Sequence, residues 1–171
     1  ALFSAFGRSN TIITALSFNY GLRDPARIRA CIRYGIGDTM MVTCGFTVLF
    51  EIIARPLSTL FALSGGSGEA LIGLCERATR IGSIGFVFMG FTVAVQGVLQ
   101  ALGNAEKPLI LSFLRLVVFV FPTAYLLTLS SRATEIVWFC FPIAEVLTAV
   151  VAALFLRQEV KKKTMDIKDI M

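Results

Sequence analysis

The chain has 171 residues, 56% hydrophobic and 16% charged, with a mean hydropathy of +0.80 and a net charge of +5. Soluble domains carry about 25% charged and about 45–50% apolar residues, so this composition excludes an ordinary soluble domain and points to a lipid bilayer as solvent. The basic residues stand between long apolar runs rather than on one polar face with aromatic readers, which argues against a nucleic-acid partner, and there is no His to shuttle protons or ligate a metal.

A membrane-crossing helix needs about 20 mostly apolar residues. Residues 1–20 are the first and weakest candidate, interrupted by Arg8 and Asn10. With neither an initial Met nor a basic n-region there is no signal peptide, and the chain is expected to start inside a larger protein. The run then leaves the bilayer at Asn19-Tyr20-Gly21 and meets Asp24-Pro25, an N-cap followed by a first-turn proline. On a helix over 24–35, Arg23, Arg27, Arg29 and Arg33 fall within about 160° of one another, while Ile28, Cys31, Ile32 and Gly35 share the opposite side. This pattern predicts a short amphipathic helix on the membrane surface, arginines toward lipid phosphates.

The second span covers 36–53, with Asp38 and Glu51 near its two ends, where snorkelling or capping is the expected role. Leu57, Leu60 and Phe61 then suggest a short interfacial helix before a turn at Gly65-Gly66-Ser67-Gly68. That turn lacks the GK[ST] ending of a phosphate loop, and no such loop occurs elsewhere in the chain, so ATP is not an expected ligand. The third span, 81–102, has no charged residue. Gln96 and Gln100, four apart, share one of its faces and suit either interhelical hydrogen bonds or the polar wall of a substrate path.

The fourth span, 108–130, holds Arg115, and the fifth, 134–156, holds Glu135 and Glu145. Arg115 lies about 12 Å past Lys107 and Glu145 about 18 Å before Arg157, at 1.5 Å per residue. Neither charge is stable alone in hydrocarbon, so the depths predict an Arg115–Glu145 ion pair. Pro122 and Pro142 each deprive a carbonyl four residues earlier, at Val118 and Trp138, of its helical donor; each is a packing kink or a hinge. Residues 158–171 read as a basic tail.

If the arginine-rich helix is cytoplasmic, that side holds ten Lys and Arg residues against four on the other, an orientation that the positive-inside rule favours and that makes the tail cytoplasmic too. Cys31, Cys44, Cys75 and Cys140 show no CxxC spacing and read as small buried hydrophobes. With no Ser/His/Asp set, Cys/His pair or metal cluster in the sequence, neither catalysis nor a cofactor is expected.

The stretches ALSFNYGLRDPARIRACIRYG, VQGVLQALGNAEKPLILSFLRLVVFVFPTAYLL and PIAEVLTAVVAALFLR, taken in order, resemble the second half of multidrug and toxic compound extrusion (MATE) transporters. In that family an Asn-Tyr-Gly turn leads to an arginine-containing cytoplasmic helix, and a Gln-Gly…Gln-x-x-Gly segment ends the tenth helix before an eleventh that starts with Pro. The resemblance implies an all-α integral membrane protein, an antiparallel bundle running from the end of helix eight to helix twelve, as one incomplete lobe of a two-lobe (6+6) transporter. It also implies that the missing N-terminal lobe of the same protein, the bilayer and a small-molecule substrate are the partners. The implied activity is secondary active efflux of organic, often cationic compounds by H⁺ or Na⁺ antiport across a bacterial inner or plasma membrane. A lipid-linked oligosaccharide flippase of the same superfamily and a non-transporting half-sized subunit are the alternatives. Some members carry a cation-binding acid in the tenth helix; 81–102 contains none, so no coupling residue is transferred.

Overall fold

The computed structural model describes the backbone of residues 1–65, 69–130 and 133–170, and side chains at 1–61, 69–130 and 133–163. All regular structure among these residues is helical. Helix α1 is Leu2–Gly21, α2 is Pro25–Gly65 and α3 is Glu69–Ala101. Helix α4, Glu106–Phe113, passes through a π-helical segment, Leu114–Val120, into α5, Phe121–Thr128. A short α6, Ala133–Ile136, and a 3₁₀ turn, Val137–Phe139, lead into α7, Cys140–Ile170. Four helical stretches are long and apolar enough to cross a membrane: Pro25–Phe61, Glu69–Ala101, Glu106–Thr128 and Ala133–Lys163. Helix α1 has the length, but Arg8, Ser9 and Asn10 lower its hydropathy below the same standard.

Four expected boundaries move, for one reason. The amphipathic segment 24–35 is not a separate surface helix; it forms the first turns of α2, which runs unbroken for 41 residues. Gly35 does not interrupt it, because its bare backbone is where Ile12 of α1 packs: a Cβ there would lie 2.7 Å from Ile12 Cγ1. Asp24 does cap the helix, Oδ1 accepting the backbone N–H groups of Ala26 (2.9 Å) and Arg27 (3.2 Å). The helical faces divide as expected, with Ile28 and Ile32 buried and all four arginines exposed. Likewise 54–61 continues α2 through Pro56 rather than forming an interfacial helix, and α3 begins twelve residues before the apolar run at 81. Of the expected glycine turn, Gly65 ends α2 and 66–68 lie outside the described residues. Residues 158–163 are not a loose tail but part of α7, where Glu159 is buried. Apolarity sets how much of a helix lipid can cover, whereas helicity needs only satisfied backbone bonds and paired charges. Of the cysteines only Cys140 is buried; Cys44 is exposed.

Helix α3 is the centre of the bundle, packing on α1, α2 and α7. Lipid tails match apolar side chains, so membrane helices associate through close backbone approach and hydrogen bonds rather than hydrophobicity. The sequence supplies both. At Gly97 a Cβ would collide with Ser9 Oγ and lie 3.1 Å from the Ser9 carbonyl, so α1 crosses there; at Gly90 a Cβ would lie 2.5 Å from Thr43 Cγ2, so α2 crosses there. Ser9 Oγ donates to the Val93 carbonyl (3.2 Å) and Thr47 Oγ1 to the Ser83 carbonyl (3.1 Å), tying α1 and α2 to the α3 backbone. Below these crossings Ile12, Leu16, Ile28, Ile32, Val98 and Leu102 form one buried cluster.

Gly90→Ala is therefore expected to destabilise the protein by about 1–3 kcal/mol, the usual cost of overpacking. Gly82→Ala, on the same helix with open space around the new methyl, leaves stability unchanged. Melting temperatures of the two variants in one detergent check the contrast.

Candidate functional site

Buried charges are the groups a membrane protein keeps only for a purpose, structural or functional. Among the described residues five ion pairs join different helices along the bundle, one of them between Arg77 of α3 and Glu135 of α6 (3.4 Å). Arg8 of α1 pairs with Asp38 of α2 beside a cleft of about 300 Å³ that also takes in Thr11 and Tyr34. Arg80 of α3 meets Glu51 of α2 (3.1 Å) and Glu76 of its own helix (3.0 Å), while Ser83 Oγ donates to Glu51 Oε1 (2.7 Å). Lys107 of α4 meets Glu159 of α7 at 2.5 Å. Arg115 and Glu145, the fifth pair, are brought together by the last two long helices.

The Arg115–Glu145 pair differs from the others in its local backbone, and only the Lys107–Glu159 pair, at 22% and 6% side-chain exposure, is as well buried. The Glu145 side chain is 9% exposed and that of Arg115 26%, against 38% and 56% for Arg8 and Asp38. Arg115 belongs to the π segment, two residues before which α4 is regular, and Glu145 stands three residues past Pro142 and just beyond the 3₁₀ turn. The prolines thus act through the segments ahead of them. Pro122, second residue of α5, follows a stretch whose bonds have already shifted to i→i+5, and Pro142 follows one shifted to i→i+3, so no sharp kink is needed to accommodate the missing donors.

Helix α3 completes the site. A Cβ on Gly85 would lie 3.4 Å from Glu145 Cγ and 3.5 Å from Pro142 Cα, so the glycine lets α7 lie on α3 with the carboxylate between them. An apolar cleft of about 350 Å³, lined by Ile84, Phe139, Pro142, Ile143, Val146 and Leu147, opens beside it. Two buried side-chain polar atoms among the described residues accept or donate no hydrogen bond, Glu145 Oε2 and Trp138 Nε1, and both flank Pro142 in sequence. Native structures satisfy most such atoms, so their concentration at one helix break marks the place.

The other residues singled out in the sequence are placed as follows. Gln96 donates from Nε2 to the Pro108 carbonyl (3.2 Å) and to Ser112 Oγ (3.0 Å), fastening α3 to α4. Gln100, one turn on, is exposed on the surface of the bundle. Arg23, Arg27, Arg29 and Arg33 project from the start of α2, far along that helix from Glu51. Asp38 and Glu51 neither snorkel nor cap: they are the acids of two interhelical pairs. A depth count of the kind applied to Arg115 reaches one of these. Arg8 stands thirteen residues before Gly21 and Asp38 thirteen after Pro25, on two helices joined by a three-residue turn, which sets both about 20 Å from that turn.

Removing Arg115 alone leaves a buried carboxylate without a counter-charge, which costs about 3–5 kcal/mol where such pairs have been broken. Arg115→Gln is expected to lower the melting temperature sharply, and the double variant Arg115→Gln with Glu145→Gln to recover most of the loss. A double variant no more stable than the worse single one, in the same detergent, counts against a stabilising pair.

The MatE family profile matches residues 1–126. Among solved structures, the inward-facing conformation of a multidrug resistance MATE family transporter of the MOP superfamily is similar, with a TM-score of 0.85 and 21% identity over 92% of this chain and 36% of that one. The outward-facing conformation of such a transporter gives a TM-score of 0.83 at 21% identity, covering 92% of this chain and 35% of that one. A Vibrio cholerae MATE transporter in the bent form gives 0.74 at 18% identity, over 85% of this chain and 32% of that one. The chain thus spans about a third of the length of the solved transporters it matches. No curated protein matches it by sequence.

Proposed function

Because the chain belongs to the MatE family, whose members are transporters and not enzymes, we propose that it forms part of the C-terminal lobe of an exporter of organic, often cationic compounds driven by inward flow of H⁺ or Na⁺. The family match over residues 1–126 carries this reading, and the fold supports it: a multi-pass, all-helical membrane protein with the architecture of MATE transporters. The missing N-terminal lobe of the same protein faces this bundle, and substrate is held between the two.

The orientation follows from charge. Among the described residues Arg23, Arg27, Arg29 and Arg33 at the start of α2, Lys107 at the start of α4 and Arg157, Lys161, Lys162 and Lys163 toward the end of α7 collect at one end; Lys163 Nζ lies 5.8 Å from the centre of the Tyr20 ring, which brings the α7 lysines to the α1–α2 turn. The retention of positive charge on the cytoplasmic face supports an orientation with that end, and the C-terminus, inside the cell. The bilayer is then the cell membrane. Energy from an ion gradient fits a chain without a phosphate loop.

Cells expressing the complete coding sequence are expected to export a fluorescent cationic dye, and to stop when ionophores collapse the H⁺ and Na⁺ gradients. Export that persists on ATP with both gradients collapsed overturns the reading.

A further inference from the structure

We infer that Glu145 is a proton-binding site of this bundle, taking up a proton when its contact with Arg115 is released. The inference rests on the antiport reading above and names a residue that carries the coupling.

Geometry supplies the argument. One Glu145 oxygen, Oε1, faces the Arg115 guanidinium; the other, Oε2, is buried without a hydrogen-bond partner among the described residues, and the residue as a whole is 7% exposed. A carboxylate held this way has half its acceptor capacity unused in a medium where that omission is costly, whereas a carboxylic acid carries an O–H at one oxygen and demands less of its surroundings. Its neighbours on α3 and α7 are Gly85 and Pro142, and the cleft alongside is lined by hydrocarbon. A sodium ion prefers several hard oxygen ligands, and no group of three or more His, Cys, Asp or Glu stands anywhere among the described residues. The nearest hydroxyl along the same helix, Thr148, donates to the Ala144 carbonyl. This donor set suits a proton and not a metal cation.

The charged groups on the elements packed against α7 narrow the exchange to one partner. On α3, Glu69, Glu76, Arg77 and Arg80 belong to its first twelve residues, where Arg80 is held by Glu76 and Glu51 and Arg77 by Glu135. On α4, Glu106 and Lys107 stand at the opposite end, Lys107 held by Glu159. Tyr125 on α5 is exposed, and Cys140 on α7 is a buried thiol five residues before Glu145. Among the described residues Arg115 alone pairs with the carboxylate. Proton uptake converts the carboxylate to a neutral acid while Arg115 keeps its charge, so the attraction between the π segment and α7 is lost where both helices already depart from α geometry. Proton release restores it. The two states differ by one proton and one salt bridge, at a break where the helices yield most easily.

The complete protein in lipid vesicles provides the test. Infrared difference spectra between acidic and alkaline medium are expected to show a protonated-carboxyl band that Glu145→Gln removes. Under an imposed pH gradient, Glu145→Gln is expected to lose net dye transport and to keep dye-for-dye exchange, which moves no net proton. If that variant fails to fold, the double variant Arg115→Gln with Glu145→Gln, which leaves no buried charge unpaired, takes its place with the same expectations. A band that survives replacement of Glu145, or a double variant driven by the pH gradient as fully as the wild type, overturns the inference and leaves a structural latch. A wild type with the band but without gradient-driven transport overturns the antiport reading instead, because the titration is then present without the coupling.

Discussion

Close approach to α3 is the constraint on which the remaining structure depends. The helix carries no charge from residue 81 onward and is mostly apolar, so in lipid it has no hydrophobic reason to prefer a helical neighbour over an acyl chain. What selects its neighbours is shape. Gly97 receives α1, Gly90 receives α2 and Gly85 receives α7, each at a different height. Serine and threonine hydroxyls then bond across the narrowed gaps, as Ser9 and Thr47 do, or back to their own helices, as Thr39, Thr92 and Thr148 do. Because the backbone pairs within each helix, these small-residue contacts add specificity without leaving any main-chain group unsatisfied.

Charge enters only after that packing is made. Among the described residues five interhelical pairs tie the packed helices together, and the buried ones cost desolvation that the partner offsets. The pairs nearer the ends, Arg80–Glu51 and Lys107–Glu159, also explain why the helices outrun their apolar segments: a charge that would end a membrane span is carried onward by a partner on the adjacent helix. Lys107 shows the economy of this arrangement. Its backbone N–H is capped by Asn104 Oδ1 (3.2 Å), its ammonium meets Glu159, and Asn104 Nδ2 donates to that same carboxylate (3.3 Å), so one short turn starts α4 and fastens it to α7. The Arg115–Glu145 pair differs because it lies deep and beside two irregular backbone segments, where a change in charge meets the least resistance.

The sequence by itself determined the solvent, the fold class and the family. Mean hydropathy and the spacing of apolar runs are sums over many residues, and a single misread position does not alter them. The Asp24 cap and the opposed faces of 24–35 were legible for a related reason, since each depends on neighbours within one or two turns; the expected turn at Asn19-Tyr20-Gly21 is instead the last turn of α1, and the chain reverses at 22–24. Depth along a helix was legible too, because rise per residue is constant; it placed Arg115 and Glu145 at compatible heights, and applied to Arg8 and Asp38 it yields the same result. Only the tertiary structure decided the rest. Azimuth is not contained in depth: which side of α3 each glycine faces, and hence that Gln96 fastens α4 while Gln100 stands outside, follows from where the other helices lie. Helix ends were equally hidden, since Asp38, Glu51, Arg80 and Glu159 read as boundaries until their partners, up to 52 residues away in the case of Lys107 and Glu159, are in place. The uncompensated Oε2 of Glu145 is the clearest instance, for whether a carboxylate oxygen is satisfied depends on every surface around it, and those surfaces come from three helices that meet only in the folded bundle.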